Sequence, residues 1–203
     1  MGGFKSANRR DFLQRGVATC ALAGLPLIGR SEAVVDEPWV KRLSRPDHVL
    51  LMRHALAPGI GDPADFKHGK CHTQRNLNEQ GRAQAKRIGA WLKSRGLDQA
   101  QVFTSPWCRC VDTAQGLGLG PVMVEPSLGS FFGNPEQQAR QTRDLSAFVT
   151  KALSRKGSMP LVLVSHHVNI EAYIGQVLDS GEMIVVQVDS TGRSVAHERI
   201  YGL

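Results

Sequence analysis

Short apolar runs alternate with stretches of helical periodicity from residue 47 to residue 178, and two of the runs end on histidine. Val49-Leu50-Leu51-Met52 leads into Arg53-His54, and Leu161-Val162-Leu163-Val164 leads into Ser165-His166-His167. Four apolar residues with no polar alternation read as strands covered on both faces. Between them, Asn78-Glu79 opens a helix, with Ala85, Ile88 and Leu92 at helical spacing and Gly96 as its stop. Val102-Phe103-Thr104 and Val122-Met123-Val124 read as further strands. Pro106 stands near the start of a helix that ends by Gly116 or Gly118. Residues 136–155 read as a long helix carrying Ala139, Leu145, Phe148, Val149 and Ala152, and the helix after His167 runs to about Leu178. Ile184–Val188 and Ser194–Tyr201 close as a hairpin across Thr191-Gly192. Residues 34–46 read as a leader, and 55–75 and 129–135 as loops; a loop as long as 55–75 is usually functional or disordered. Strands alternating with helices predict an α/β sandwich whose sheet is mostly parallel, with an antiparallel edge.

The chain carries 25 Lys and Arg against 18 Asp and Glu, a formal net charge of +7. The charge is unevenly placed. Lys5, Arg9, Arg10, Arg15 and Arg30 against Asp11 and Glu32 give the first 33 residues a net +3. That segment has a basic start, an uncharged run from Gly16 to Gly29, and Ser31-Glu32-Ala33, close to a small-x-small cleavage site. The run is shorter than the roughly 20 residues needed to span a bilayer. Arg9-Arg10 followed by Asp11-Phe12-Leu13 resembles a twin-arginine signal, leaving open whether that or the general route is used. The expectation is an export signal over residues 1–33, a mature domain over 34–203, and a periplasmic or secreted location. The alternative is a basic amphipathic helix of the mature protein. Cys20 follows Val17-Ala18-Thr19, a poor lipoprotein site, so no stable membrane anchor is expected after cleavage.

Cleavage would leave Cys71, Cys108 and Cys110. An odd count in an oxidising compartment suggests one bridge and one free thiol. Cys108 and Cys110 are too close to pair comfortably in a helix, so Cys71 is expected to bond to one of them; three buried free cysteines are the alternative. His68 and His72 flank Cys71, but the spacing is irregular, so no metal is expected there.

In open α/β sheets, ligands bind beyond the carboxyl ends of the strands. The strand at 49–52 delivers Arg53 and His54, the strand at 102–104 leads to Arg109, and the strand at 161–164 delivers His166. If these strands are neighbours, two arginines and two histidines meet. Two guanidiniums can grip one phosphate through forked hydrogen bonds. Cationic surroundings keep an imidazole neutral, and a neutral imidazole is a nucleophile towards phosphorus.

These residues resemble the histidine phosphatase superfamily, branch 1, with its phosphoglycerate-mutase-like fold. Four segments carry the likeness: Leu51-Met52-Arg53-His54-Ala55; Leu77-Asn78-Glu79-Gln80-Gly81; Thr104-Ser105-Pro106 with Arg109 and Thr113-Ala114; and Val162-Leu163-Val164-Ser165-His166. The resemblance implies a three-layer sandwich and a metal-independent histidine acid phosphatase-type hydrolase with no cofactor. It implies His54 as the nucleophile that becomes phosphohistidine, Arg53 and Arg109 as the clamp, and His166 as the residue completing the pocket. Arg75 and His167 are candidates for substrate contact. Gln74–Leu77, Ser130–Phe132 and His166–Ile170 are similar to the envelope subgroup containing lipopolysaccharide core heptose phosphatases.

One position departs from the pattern. Ser130 stands where many members carry a glutamate acid, in the loop after the third strand. Glu125, Glu136 and Asp62 are the nearby candidates for that proton donor. A phosphoramidate leaving group would need it less. The expected partner is a small phosphorylated substrate, on a cell-envelope sugar or, alternatively, a phosphohistidine or phosphoprotein; a non-catalytic phosphate binder is a third possibility. No nucleic-acid partner is expected, and the oligomeric state stays open. His48, His68, His72 and His197 read as surface or loop residues.

Overall fold

The structure, a computed structural model, describes residues 38–200; the proposed export signal lies outside them. The order of elements is α1 (Trp39–Arg42), β1 (His48–Arg53), α2 (Glu79–Ser94), β2 (Gln101–Thr104), α3 (Cys108–Leu117), β3 (Val122–Val124), α4 (Gln138–Leu153), β4 (Leu161–Ser165), α5 (His167–Ile174), β5 (Met183–Val188) and β6 (Ser194–Ile200). Short 3-10 turns cover Cys71–Thr73, Pro126–Leu128 and Pro135–Gln137.

The six strands form one sheet in the order β3-β2-β4-β1-β5-β6. The first four are mutually parallel, and β5 and β6 add the antiparallel edge. Leu51 of β1 lies between Leu163 of β4 and Ile184 of β5. Alternate strand residues point to opposite faces, so each strand feeds two cores. Leu50, Met52, Val102, Val162 and Val164 pack with Ile88 and Leu92 of α2 and Ala114 and Leu117 of α3. Val49, Leu51, Leu161, Leu163 and Ile184 pack with Leu145 and Val149 of α4 and Ile170 and Tyr173 of α5. This is the three-layer α/β sandwich expected from the unbroken apolar runs. Full burial of such a side chain contributes about 1.5–3 kcal/mol, so these two clusters dominate the stability of the layers. No helix among the described residues is long and apolar enough to cross a membrane.

Local signals explain the helix ends. The Asn78 side chain accepts from Gly81 N at 2.8 Å, capping α2. Gly118 ends α3 in the left-handed region at φ 62°. Helices α2 and α3 pack so closely that a Cβ on Gly89 would lie 2.1 Å from the Leu117 carbonyl oxygen.

Several expectations need correction. Helix α5 stops at Ile174, because Gly175 takes a left-handed φ of 70°, rather than running to Leu178. The leader contains α1, whose Trp39 stacks on Trp91 of α2 at 5.8 Å. On α4, Leu145, Val149 and Ala152 are buried as their spacing suggested, together with Leu153, but Ala139 is exposed. His48 is buried within β1 and pairs with Asp47, where a surface position was expected.

Candidate active site

The sheet order makes β2, β4 and β1 consecutive parallel neighbours, so their carboxyl ends share one edge. Two backbone bonds extend the ladder past the strands: His54 N donates to Ser165 O at 3.0 Å, and Ser105 N donates to Val164 O at 3.0 Å. They place His54 and Ser105 on either side of the chain leading into His166. Arg53, His54, Arg109, His166 and the two further candidates Arg75 and His167 all line one cavity of about 230 Å³.

His54 is 1% exposed. Its Nδ1 lies 2.7 Å from the Ala55 carbonyl oxygen, an acceptor, so Nδ1 carries the hydrogen and Nε2 keeps its lone pair. Burial pushes its pKa down to about 3, and the Arg109, Arg53 and Arg75 charges push the same way against the Ala55 hydrogen bond. The ring is therefore neutral at ordinary pH. His166 stands edge to face with it, ring centroids 5.4 Å apart. Arg109 Nη2 lies 3.4 Å from His166 Nδ1, and a guanidinium can only donate, so Nδ1 accepts and Nε2–H points at Ser105 Oγ, 2.8 Å away. Burial, then Arg109 and His54, hold the His166 pKa well below the usual histidine value.

Three guanidiniums face this cavity. Arg53 Nη1 donates to Leu178 O at 2.9 Å, while Arg53 Nε and Arg109 Nε are buried and have no hydrogen-bond partner. Arg75 Nε donates to Gly61 O at 2.9 Å, and its Nη1 donates to Ala57 O. Burial lowers the pKa of Arg53 and of Arg75. Asp62 is the carboxylate in contact with this group. Its Oδ1 accepts from Arg109 Nη1 at 2.8 Å and from Arg75 N at 3.0 Å, and its Oδ2 accepts from Trp107 Nε1 at 3.0 Å. Burial opposes ionisation, but these bonds and the Arg109 charge outweigh it and hold the Asp62 pKa below the ordinary carboxylate value.

The three proposed proton donors are therefore elsewhere or committed. Asp62 is an ionised buttress. Glu125 accepts from Ser127 N at 2.8 Å, and Glu136 is exposed in a 3-10 turn. None of the three lines the cavity. Ser130 does, and its hydroxyl accepts from Phe132 N at 3.1 Å.

Cys71 is bonded to Cys108, and Cys110 is free and buried. The bridge ties the 55–75 loop to the start of α3, one residue before Arg109. Cys110 faces β4 instead, its sulfur 3.7 Å from Ser165 O and 3.5 Å from His166 Nε2, and burial pushes its pKa up to about 12. Trp107 is the loop's second anchor. Phe66 stacks on it at 5.5 Å and His68 meets it edge-on at 4.4 Å, so His68 has a packing role that its loop position did not reveal. Ser105, Trp107 and the buttress role of Asp62 were not recognised from sequence. The 55–75 loop is held in place by these contacts.

The family model of the histidine phosphatase superfamily (branch 1) matches residues 49–144, a span containing Arg53, His54 and Arg109. The phosphoserine phosphatase of Entamoeba histolytica in complex with 3-phosphoglyceric acid is 15% identical, with a TM-score of 0.56 over 76% of this chain and 97% of that one. A mycobacterial glucosyl-3-phosphoglycerate phosphatase in complex with VO3 is 14% identical, with a TM-score of 0.54 over 70% and 92%. At these identities the likeness shows the fold. No curated protein matches the chain. The family model thus covers slightly less than half of the chain, and the solved structures share its phosphoglycerate-mutase-like fold.

Proposed function

We propose that this chain is an exported phosphatase that hydrolyses a phosphomonoester through a phosphohistidine at His54. One observation carries the reading: a buried, neutral His54 with a free Nε2 shares its cavity with three guanidiniums. The three arginines lining the cavity supply the donors that a phosphate anion needs. His54 Nε2 attacks phosphorus, Arg53, Arg109 and Arg75 hold the phosphoryl oxygens, and His166 supports the transition state. Water then hydrolyses the intermediate. On this reading the arginines supply the positive charge, and the hydrolase is of the metal-independent histidine acid phosphatase type.

The substrate reading is an envelope sugar phosphate. The three segments behind that resemblance, at Gln74–Leu77, Ser130–Phe132 and His166–Ile170, all contribute to the one cavity through Arg75, Ser130, Phe132, His166 and His167. A second reading, a phosphohistidine or phosphoprotein phosphatase, is favoured by the lack of a carboxylate among the residues lining the cavity.

Turnover of p-nitrophenyl phosphate tests the proposal, because its good leaving group needs no protonation. We expect turnover by the purified protein, its loss in His54→Ala, and an acid-labile phosphoryl adduct on His54 in quenched reactions. Phosphate affinity without turnover would mark a binding protein instead. Amino-terminal sequencing of protein recovered from the periplasm or medium tests cleavage after Ala33; an uncleaved cytoplasmic product would refute export.

A further inference from the structure

The cavity poses a chemical problem. An alkoxide leaving group needs a proton, and no carboxylic acid lines the site. The residues that do line it leave few donors. The arginines do not give up protons at working pH. His166 is fully committed, accepting from Arg109 and bonded to Ser105 on its other nitrogen. The Ser130 hydroxyl is too weak an acid. His54 is the nucleophile. His167 remains, half-buried at the first position of α5, with Phe132 packed against its ring at 5.8 Å.

Resting on the phosphohistidine reading above, we infer that His167 is the general acid that protonates the leaving oxygen of an alkyl phosphate. The electron and proton balance closes. His54 Nε2 forms a bond to phosphorus as the phosphorus–oxygen bond to the leaving group breaks. That electron pair goes to the leaving oxygen, which takes the proton from His167, giving a free alcohol and neutral His167. A water oxygen then attacks phosphorus, the phosphorus–nitrogen pair returns to His54, and His167 takes up the proton released by the water. One phosphate and one alcohol leave, and both histidines are restored.

The charges around His167 fit this cycle. Burial lowers its pKa. Arg53 from the end of β1, Arg75 from the 55–75 loop and Arg109 from α3 add to the effect, and Glu171, one turn along α5, opposes it. His166, beside it at the end of β4, is neutral. A bound phosphate dianion offsets the three guanidiniums and so raises the affinity of His167 for a proton. The acid is loaded by the substrate it serves.

The test compares glycerol 2-phosphate with p-nitrophenyl phosphate in wild type and His167→Gln. We expect kcat/KM on the alkyl ester to fall by about 100-fold, and the loss on the aryl ester to be at least about tenfold smaller. Equal losses would reduce His167 to a binding or positioning residue and overturn the inference; no loss on either would do the same. Should the variant fail to fold, wild-type pH profiles decide. The alkyl ester should lose kcat/KM at a lower pH on the basic side than the aryl ester, and coincident profiles would overturn the assignment. A wild type that cleaves the aryl ester but no alkyl ester lacks an acid, which overturns this inference and leaves the phosphohistidine mechanism standing. A wild type that cleaves neither refutes the mechanism and this inference with it.

Discussion

Asp62 Oδ1 holds Arg109 Nη1 at 2.8 Å across 47 residues of sequence, and the same oxygen accepts the Arg75 backbone N–H. One carboxylate thus sets the position of Arg109 and of the segment that carries Arg75. Its position in the sequence suggested a proton donor; its bonds make it a positioning residue.

Asp62→Asn should keep the shape, lose the charge and replace the oxygen that accepts from Trp107 Nε1 with a donor. The Arg109 contact is largely shielded from water, with side-chain exposures of 3% and 15%, so its loss is not masked by solvent. We expect kcat/KM for p-nitrophenyl phosphate to fall about tenfold, in line with a charged hydrogen bond of roughly 1.5–3 kcal/mol. The pH profile should keep its shape, because Asp62 gives up no proton in the reaction. A profile that loses its basic limb in the variant would restore Asp62 as the acid.

Stability should fall in acid. Above pH 6.5 His54 is neutral in both folded and unfolded chains, but between 6.5 and about 3 the unfolded chain binds a proton that the folded one refuses. The unfolded state then binds more protons, so stability drops as pH falls through that window. His166 is shifted in the same direction. The expected slope is up to about 1.4 kcal/mol per pH unit for each such histidine. Melting temperatures measured from pH 7.5 to 4.5 should show it, and a His54→Gln variant should flatten the curve.

The disulfide closes a 37-residue span. A loop of that size contributes about 3–4 kcal/mol in the chain-entropy account, so Cys71→Ser should lower Tm by roughly 6–15 °C. Iodoacetamide should leave Cys110 unlabelled in the native protein, because the thiol is buried and its pKa is pushed up to about 12, and label it once the chain is unfolded.

Gly89→Ala tests the packing of α2 on α3. Alanine favours a helix by about 1 kcal/mol over glycine, so free space would make the change stabilising. Here the new Cβ would sit 2.1 Å from the Leu117 carbonyl oxygen, and the helices must part. We expect a net loss of about 2 kcal/mol in chemical denaturation. Ala90→Ser, one residue away and exposed, is the control.

The buried strands were legible because Val49–Met52 and Leu161–Val164 admit no polar residue, and only a sheet covered on both faces accommodates that. The strand ends made the convergence of His54 and His166 legible on the condition that β1 and β4 are neighbours, which they are. What lay beyond reading depended on helix phase and loop path. Cys108 and Cys110 are two residues apart on a helix and so face nearly opposite sides; only the phase of α3 decides which one meets Cys71. The roles of Asp62 and Trp107 depend on where the 55–75 loop crosses α3, which no local pattern encodes. His48 looked polar enough for the surface, but it opens a strand flanked by β5, where Asp47 accepts its Nδ1–H and Gln187 lies opposite in register.

Ala55 has a further consequence. Its carbonyl accepts a hydrogen bond from His54 Nδ1–H, and its N–H donates to Thr113 Oγ1 at 2.9 Å, whose hydroxyl in turn donates to the Arg109 carbonyl at 2.6 Å. His54 and Arg109 are thereby gauged against each other through the first residue of the 55–75 loop and the buried Thr113 hydroxyl. The 129–135 loop stands outside this relay, so Ser130 and Phe132 can vary and retune what the cavity admits without disturbing the alignment of His54 with Arg109.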